Sequence, residues 1–162
     1  MPTLSPAIRE RILALLPRYP SKQAVTLPAL HLVQDELRCV PPEAIREIAE
    51  LLDLHPAQVH DTLSFYGFFR DPSRPLGQYR VWICRSLPCM LRGGEELLAH
   101  LCAVLQVQPG DRTTDGKITL EFAECLGACE GAPCLLVNDE CHFNVTPTSA
   151  TELISRLRAE DK

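Results

Sequence analysis

Cys84-Arg-Ser-Leu-Pro-Cys89 and Cys125-Leu-Gly-Ala-Cys129 are the two stretches around which this chain is organised. The first is a C-x4-C and the second a C-x3-C, with 35 residues between them, Met90 to Glu124. Each pair falls where an expected strand gives way to a turn, so its thiols can leave the backbone and aim at a shared object. Four thiolates from two loops suit a [2Fe–2S] cluster, in which each iron takes two cysteine sulfurs and shares two sulfides with the other. They also suit a structural Zn²⁺ held by four thiolates. No C-x-x-C occurs, which removes the thioredoxin dithiol motif and the commonest zinc knuckle. Loops of four and three residues are looser than zinc ribbons prefer, so spacing favours iron–sulfur and leaves zinc open.

The composition narrows the setting. A chain of 162 residues with 46% hydrophobic and 23% charged residues suits one large or two small folded domains. The net charge is −5 and no basic cluster occurs, which argues against nucleic acid as a partner. Met1-Pro-Thr-Leu-Ser-Pro6 lacks the basic-then-apolar pattern of a secretory signal, and no apolar run approaches a membrane span. The expectation is a soluble bacterial cytoplasmic protein, where eight cysteines stay reduced and serve metal binding or catalysis rather than disulfides.

Upstream of the cysteine pairs the apolar period is helical. Ser5-Pro6 reads as a cap with proline at the first helical position, followed by Ile8, Ile12, Leu15, Leu16 and Tyr19. Thr26 reads as the cap of a second helix, with Leu27, Leu30, Val33 and Leu37 on one face. Pro41-Pro42 opens a third helix bearing Ile45, Ile48, Ala49 and Leu52, and His55-Pro56 a fourth bearing Val59, Leu63 and Tyr66. Four short amphipathic helices make a small bundle over residues 1–70. His31, His55 and His60 are scattered through it without ligand spacing, and Cys39 reads as a small buried hydrophobe. Phe65-Tyr-Gly-Phe-Phe69 is bundle core or, on the sharper reading, a docking patch. Asp71-Pro-Ser-Arg-Pro-Leu-Gly77 breaks both helix and strand and is the expected linker.

From residue 78 the period changes. Gln78–Ile83 alternates and delivers Cys84; Pro88-Cys89 begins one helix whose stripe is Leu91, Leu97, Leu98, Leu101 and Leu105, with Cys102 in the core. Lys117–Phe122 is a second strand that delivers Cys125, Cys134–Asn138 a third, and Cys141–Phe143 a fourth. Thr146-Pro147 caps a closing helix with Leu153, Ile154 and Leu157. The class is therefore α+β: a helical bundle, then β-α-β-β-β-α over residues 78–162, which is the thioredoxin-like plan. Cys89 is expected at a helix N-terminus, and Gly127 and Gly131 to let N–H groups reach sulfur. Leu87, Pro88, Leu126, Ala128, Ala132 and Pro133 are expected to exclude water, and Arg85 adds a charge beside the first ligand. There is no Ser/His/Asp or Cys/His set, no phosphate loop and no paired acids in a plausible pocket, so the chain carries no catalytic residues of its own.

Cys84-x4-Cys89 with Cys125-Leu-Gly-Ala-Cys129-Glu-Gly-Ala-Pro133 resembles the thioredoxin-like [2Fe–2S] subunit (designated E in bacteria) of NADH:quinone oxidoreductase, respiratory complex I. Gln23–Gln34, Pro42-Glu-Ala-Ile45 with Val59 and Phe65-Tyr66, Pro88–Gly94 and Asn144-Val-Thr-Pro147 extend the resemblance over most of the chain. It implies that Cys84, Cys89, Cys125 and Cys129 hold one [2Fe–2S] cluster. It further implies docking, partly through the helical bundle, beside a flavoprotein subunit that holds FMN and a [4Fe–4S] cluster and oxidises NADH. A larger iron–sulfur subunit of the same complex is the other expected neighbour. FMN and NAD would belong to the partner, and this chain would turn nothing over alone. Its place would be peripheral, on the cytoplasmic side of the inner membrane, with no insertion. Similar subunits serve NAD-linked formate dehydrogenases and NAD-reducing hydrogenases; a zinc-stabilised interaction module and a free-standing ferredoxin are the other readings. Cys134, five residues after Cys129, and Cys141 depart from the family pattern, which has an apolar residue such as Met at the first; packing is their default role, and a ligand swap or an oxidative disulfide near the cluster is the alternative.

Overall fold

A computed structural model describes residues 3–160. The chain divides into two compact units, Met1–Pro75 and Leu76–Lys162.

The first unit holds four helices, α1 (Pro6–Leu15), α2 (Thr26–Leu37), α3 (Pro42–Leu52) and α4 (Pro56–Phe65). Three of the expected starts form as the sequence implies. Ser5 Oγ accepts the Ile8 N–H at 3.2 Å, Pro41 precedes α3, and His55 Nδ1 accepts the Ala57 N–H at 3.2 Å. Thr26 is not a cap. A 3-10 turn over Gln23–Val25 already curls the chain, so Val25 approaches α2 with helical rather than extended backbone. A capping side chain reaches the N–H groups ahead only from extended backbone, and Thr26 becomes instead a buried residue of the first turn, 1% exposed.

Ile8, Ile12, Leu30, Val33, Ile48, Leu52 and Val59 fill the core between these helices. Phe69 joins it, whereas Phe65 is 80% exposed. The aromatic run thus divides: Tyr66, Phe68 and Phe69 pack ring against ring, Phe68 stacks on His31 and Phe69 tilts against it, while Phe65 touches Tyr66 edge-on and otherwise faces water. Gln34, buried on α2, anchors that run. Its Nε2 donates to the Phe68 carbonyl at 3.1 Å and its Oε1 accepts the Arg70 N–H at 2.6 Å.

Glu47 of α3 ties down the N-terminal segment. Its carboxylate accepts the N–H groups of Thr3 at 2.6 Å and Leu4 at 3.3 Å and pairs with Arg9. Burial alone would raise its pKa, but those donors and the guanidinium outweigh it and hold the carboxyl below the usual range. A folded pKa below the unfolded one means stabilisation that is complete above about pH 4.3 and lost as pH falls through the folded value. Glu47→Ala is expected to destabilise the helical unit by about 1–3 kcal/mol at neutral pH and to flatten its acid unfolding limb. A variant as stable as the wild type at pH 7 in urea titrations would remove Glu47 from this role.

The second unit is a four-stranded sheet in the order β2-β1-β3-β4, where β1 is Tyr79–Cys84, β2 Ile118–Ala123, β3 Leu135–Val137 and β4 Glu140–His142. β1 and β2 run parallel, which requires a crossover, and β3 and β4 add as antiparallel strands. The crossover is two helices, α5 (Leu87–Leu91) and α6 (Gly94–Leu105), not the one continuous helix expected. The chain breaks at Gly93, whose φ of 91° is left-handed. The stripe divides with it: Leu97, Leu101 and Leu105 reach the core on α6, while Leu91 on α5 is 73% exposed. α7 (Pro147–Ala159), capped by Thr146 Oγ1 on the Ser149 N–H at 3.1 Å, closes the unit.

Side chains alternate along a strand, so Val81, Ile83, Ile118, Leu120, Leu135 and Val137 pack on α6 and α7 in one core. On the other face Arg80 pairs with Glu121, Trp82 Nε1 donates to Glu121 at 2.6 Å, and Arg80 lies over the Trp82 ring. Cys84, two residues beyond Trp82, leaves the strand on this second face.

Candidate metal centre

β1 delivers Cys84 and α5 carries Cys89, so the first pair spans a strand end and the short helix after it. Cys125 and Cys129 lie on the loop after β2, Cys129 opening a 3-10 turn to Gly131. Because β1 and β2 are parallel neighbours, with Cys84 opposite Ala123, both loops leave the same end of the sheet. They meet in one apolar cluster, where Cys84 and Cys89 of the first loop pack with Ala128 of the second and Leu126 lies against the group. The backbone N–H groups of Ser86 and Leu126 favour the charged form of Cys84. Gly127, with φ of 70°, turns its own N–H onto Cys125 Sγ at 3.3 Å.

The two pairs differ in environment. Cys84 and Cys89 are buried, 3% and 1% exposed, while Cys125 and Cys129 are exposed. The Cys84 thiol is pushed up by burial, but its N–H donors and neighbouring thiols outweigh this and hold it below the ordinary thiol range. Burial raises Cys89, and the N–H it accepts from Cys134 offsets only part of that. A polarised, N–H-solvated sulfur at Cys84 is what a thiolate ligand requires, since metal binding must remove its proton.

A third buried sulfur adjoins the first pair. Cys134, 1% exposed, packs with Cys84, Cys89, Ala128 and Ala132. The sulfurs of Cys84, Cys89 and Cys134 all lie within 4.8 Å of one another. Its place five residues after Cys129 marks Cys134 as a neighbour of the site, but its approach to the first pair comes from the pairing of β3 with β1.

Several expected neighbours have other roles. Leu87 is 62% exposed and shields nothing, whereas Ala128 and Ala132 line the buried side as expected. Gly131 gives its N–H to the Ala128 carbonyl at 3.2 Å, not to sulfur. It is needed because a Cβ there would stand 2.2–2.7 Å from the Phe143 side chain. α5 is five residues long, so Cys89 sits on a single turn of helix rather than at the head of a long one. Arg85 pairs with Glu124 and lies over Phe122, which offsets its charge next to Cys84.

The arrangement fits a [2Fe–2S] cluster: a buried pair and an exposed pair of thiols on loops that pack together, with the Gly127 N–H on the Cys125 sulfur. Residues 12–158 match the family described as Thioredoxin-like [2Fe-2S] ferredoxin. The chain is 36% identical over 155 residues to an NADH-quinone oxidoreductase subunit of Rhizobium meliloti, the second of its E type, covering 96% of this chain and 91% of that one. It is 38% identical over 145 residues to NADH-quinone oxidoreductase subunit 2 of Thermus thermophilus, covering 88% and 79%. With the E-type subunit of the same enzyme from Mycobacterium tuberculosis it shares 39% over 146 residues, spanning 90% of this chain but 57% of that longer relative. Among solved structures, an NAD+-reducing [NiFe]-hydrogenase in the H2-reduced state superposes with a TM-score of 0.72 and 28% identity, over 85% of this chain and 23% of that one. By the match along nearly its whole length and by the cysteine loops that the match contains, this chain belongs to the thioredoxin-like [2Fe–2S] ferredoxins.

Proposed function

We propose that this chain is the one-electron carrier of an NADH-oxidising complex, its [2Fe–2S] cluster held by Cys84, Cys89, Cys125 and Cys129. The observation that carries the assignment is the packing of Cys84 and Cys89 with Ala128 of the second loop, which brings the two cysteine loops together. When bound, such a cluster accepts and releases single electrons and performs no bond chemistry on a substrate. The residues of this chain supply the rest. Cys84 and Cys89 hold the buried side, Ala128 and Ala132 keep water from it, and the N–H groups of Ser86, Leu126 and Gly127 solvate the sulfurs. Cys125 and Cys129 lie at the surface, where a redox partner can come within electron-transfer distance.

Similarity to NADH-quinone oxidoreductase subunits over most of their length supports membership of the peripheral arm of such a complex. The partner would be a flavoprotein subunit with FMN and a [4Fe–4S] cluster, with a larger iron–sulfur subunit beyond it. No helix of the described residues is long and apolar enough to cross a membrane, which is compatible with attachment to the membrane through the complex alone. Residues 1–70 would serve as the docking bundle, residues 71–77 as linker and residues 78–162 as the cluster domain. The likeness to a hydrogenase chain that reduces NAD+ supports a second reading, the same role in a soluble diaphorase. Pull-down with each candidate flavoprotein separates the two.

The test is the absorption spectrum of anaerobically purified protein, with low-temperature paramagnetic resonance after dithionite. A brown protein with about two irons per chain and a rhombic one-electron signal is expected. A colourless protein that stays metal-free after reconstitution with iron and sulfide, or that keeps one zinc, would overturn the assignment.

A further inference from the structure

The β1–β3 register runs Val81↔Val137, Trp82↔Leu136, Ile83↔Leu135. One step further sets Cys134 opposite Cys84, and the Cys84 N–H donates to the Cys134 carbonyl at 3.2 Å. Residues opposed in an antiparallel pair place their side chains on the same face, so the sheet itself carries the Cys134 sulfur to the first cysteine pair. The distance it reaches is informative. Cys89 Sγ and Cys134 Sγ are 3.6 Å apart. Two thiolates on one tetrahedral ion, with metal–sulfur bonds of about 2.3 Å, stand about 3.8 Å from each other. Cys89 and Cys134 therefore have the spacing of two ligands of one ion, and Cys84 lies within 4.8 Å of both. Cys141, which sits opposite Leu136 on β4, is half-buried at the edge of the same group but outside the three-sulfur set.

We propose that Cys134 is a reserve ligand for the buried iron, able to take the position of Cys89. The inference rests on the assignment of Cys84 and Cys89 as cluster ligands. In the exchange, one iron–sulfur bond to Cys89 breaks and one to Cys134 forms. The proton of the Cys134 thiol passes to the released Cys89 sulfur, or to solvent in a chain that lacks Cys89, and no electron is transferred. The chemical class of ligand is an iron–sulfide cluster, and the group involved is a fifth cysteine that the two loop motifs do not contain.

The experiment compares full-length wild type, Cys89→Ala, Cys89→Ala/Cys141→Ala and Cys89→Ala/Cys134→Ala after anaerobic reconstitution with iron and sulfide. The readouts are iron content, visible circular dichroism and paramagnetic resonance. The first three are expected to load within about twofold of one another, and Cys89→Ala/Cys134→Ala at least about tenfold less. A wild type that loads beside a Cys89→Ala chain that loads no better than Cys89→Ala/Cys134→Ala overturns the reserve ligand and leaves the functional reading standing. A wild type that does not load sinks both. Should the alanine chains fail to fold by far-ultraviolet circular dichroism, Cys89→Ser keeps the side-chain volume. Resonance Raman then decides: all-sulfur ligation in Cys89→Ser that turns to oxygen ligation in Cys89→Ser/Cys134→Ala supports Cys134, and oxygen ligation in both overturns it.

Discussion

A chain carrying Cys125→Ala and Cys129→Ala is expected to emerge colourless from reconstitution with iron and sulfide, its iron content down at least about tenfold. The double replacement strips the exposed side of the site of both thiols and leaves the buried side untouched. Each iron of a [2Fe–2S] cluster needs two protein sulfurs, and a cluster bared on one side is open to water and hydrolysis. The same variant discriminates against the zinc-type reading. Cys84, Cys89 and Cys134 form a three-sulfur group by themselves, and a single ion seated there would survive the loss of Cys125 and Cys129. Retention of one metal per chain in the double variant, by elemental analysis, would therefore transfer the site from a two-iron cluster to a mononuclear ion. Both replaced residues are exposed, so the fold should hold and the loss can be read as ligation.

Gly94→Ala is expected to disable the site without touching a ligand. A Cβ at Gly94 would stand 2.9 Å from the Cys89 carbonyl oxygen and 3.0 Å from that of Cys84. Both obstacles are backbone, so neither can swing aside as a flexible side chain would. Either α6 must back away from the sheet or the Cys84–Cys89 loop must move, and the second alters the spacing of the buried pair. The expected cost is about 2–4 kcal/mol in the stability of the sheet unit, with cluster loading reduced in step. Gly93→Ala is the control. Its φ of 91° makes any side chain strained, but the nearest contact a Cβ would meet is the end of the Glu96 side chain at 3.5 Å. Its cost should stay near about 1–2 kcal/mol, with loading preserved. Equal melting temperatures for Gly94→Ala and wild type would show that the loop does not depend on this close approach.

Local pattern carries a large part of the architecture. The periods of 3.6 and 2, the prolines at helix starts and the turn residues place α1, α3, α4, α7 and all four strands within a residue or two, because these signals act between neighbours in the chain. Thr26 has the residue type of a cap without its role, because a 3-10 turn upstream removes the extended backbone a cap requires. The crossover reads as one helix because Leu91 and Leu98 keep helical spacing across Gly93, and spacing does not register a left-handed residue. Gln34, the polar staple of the aromatic segment, gives no signal either, since its partners are backbone groups more than thirty residues away.

The cysteine loops divide along the same line. The sequence alone determined that two thiol pairs leave strand ends, at spacings that favour a two-iron cluster, since ligand spacing along a loop is a short-range property. Only the tertiary structure decided which sulfurs are buried, that Ala128 of the second loop packs onto Cys84 and Cys89, and that Cys134 stands 3.6 Å from Cys89. Those facts depend on the order and register of a sheet in which β3, last but one in the chain, pairs with β1. Contacts across fifty residues are set by which strands pair, and no local pattern records that choice.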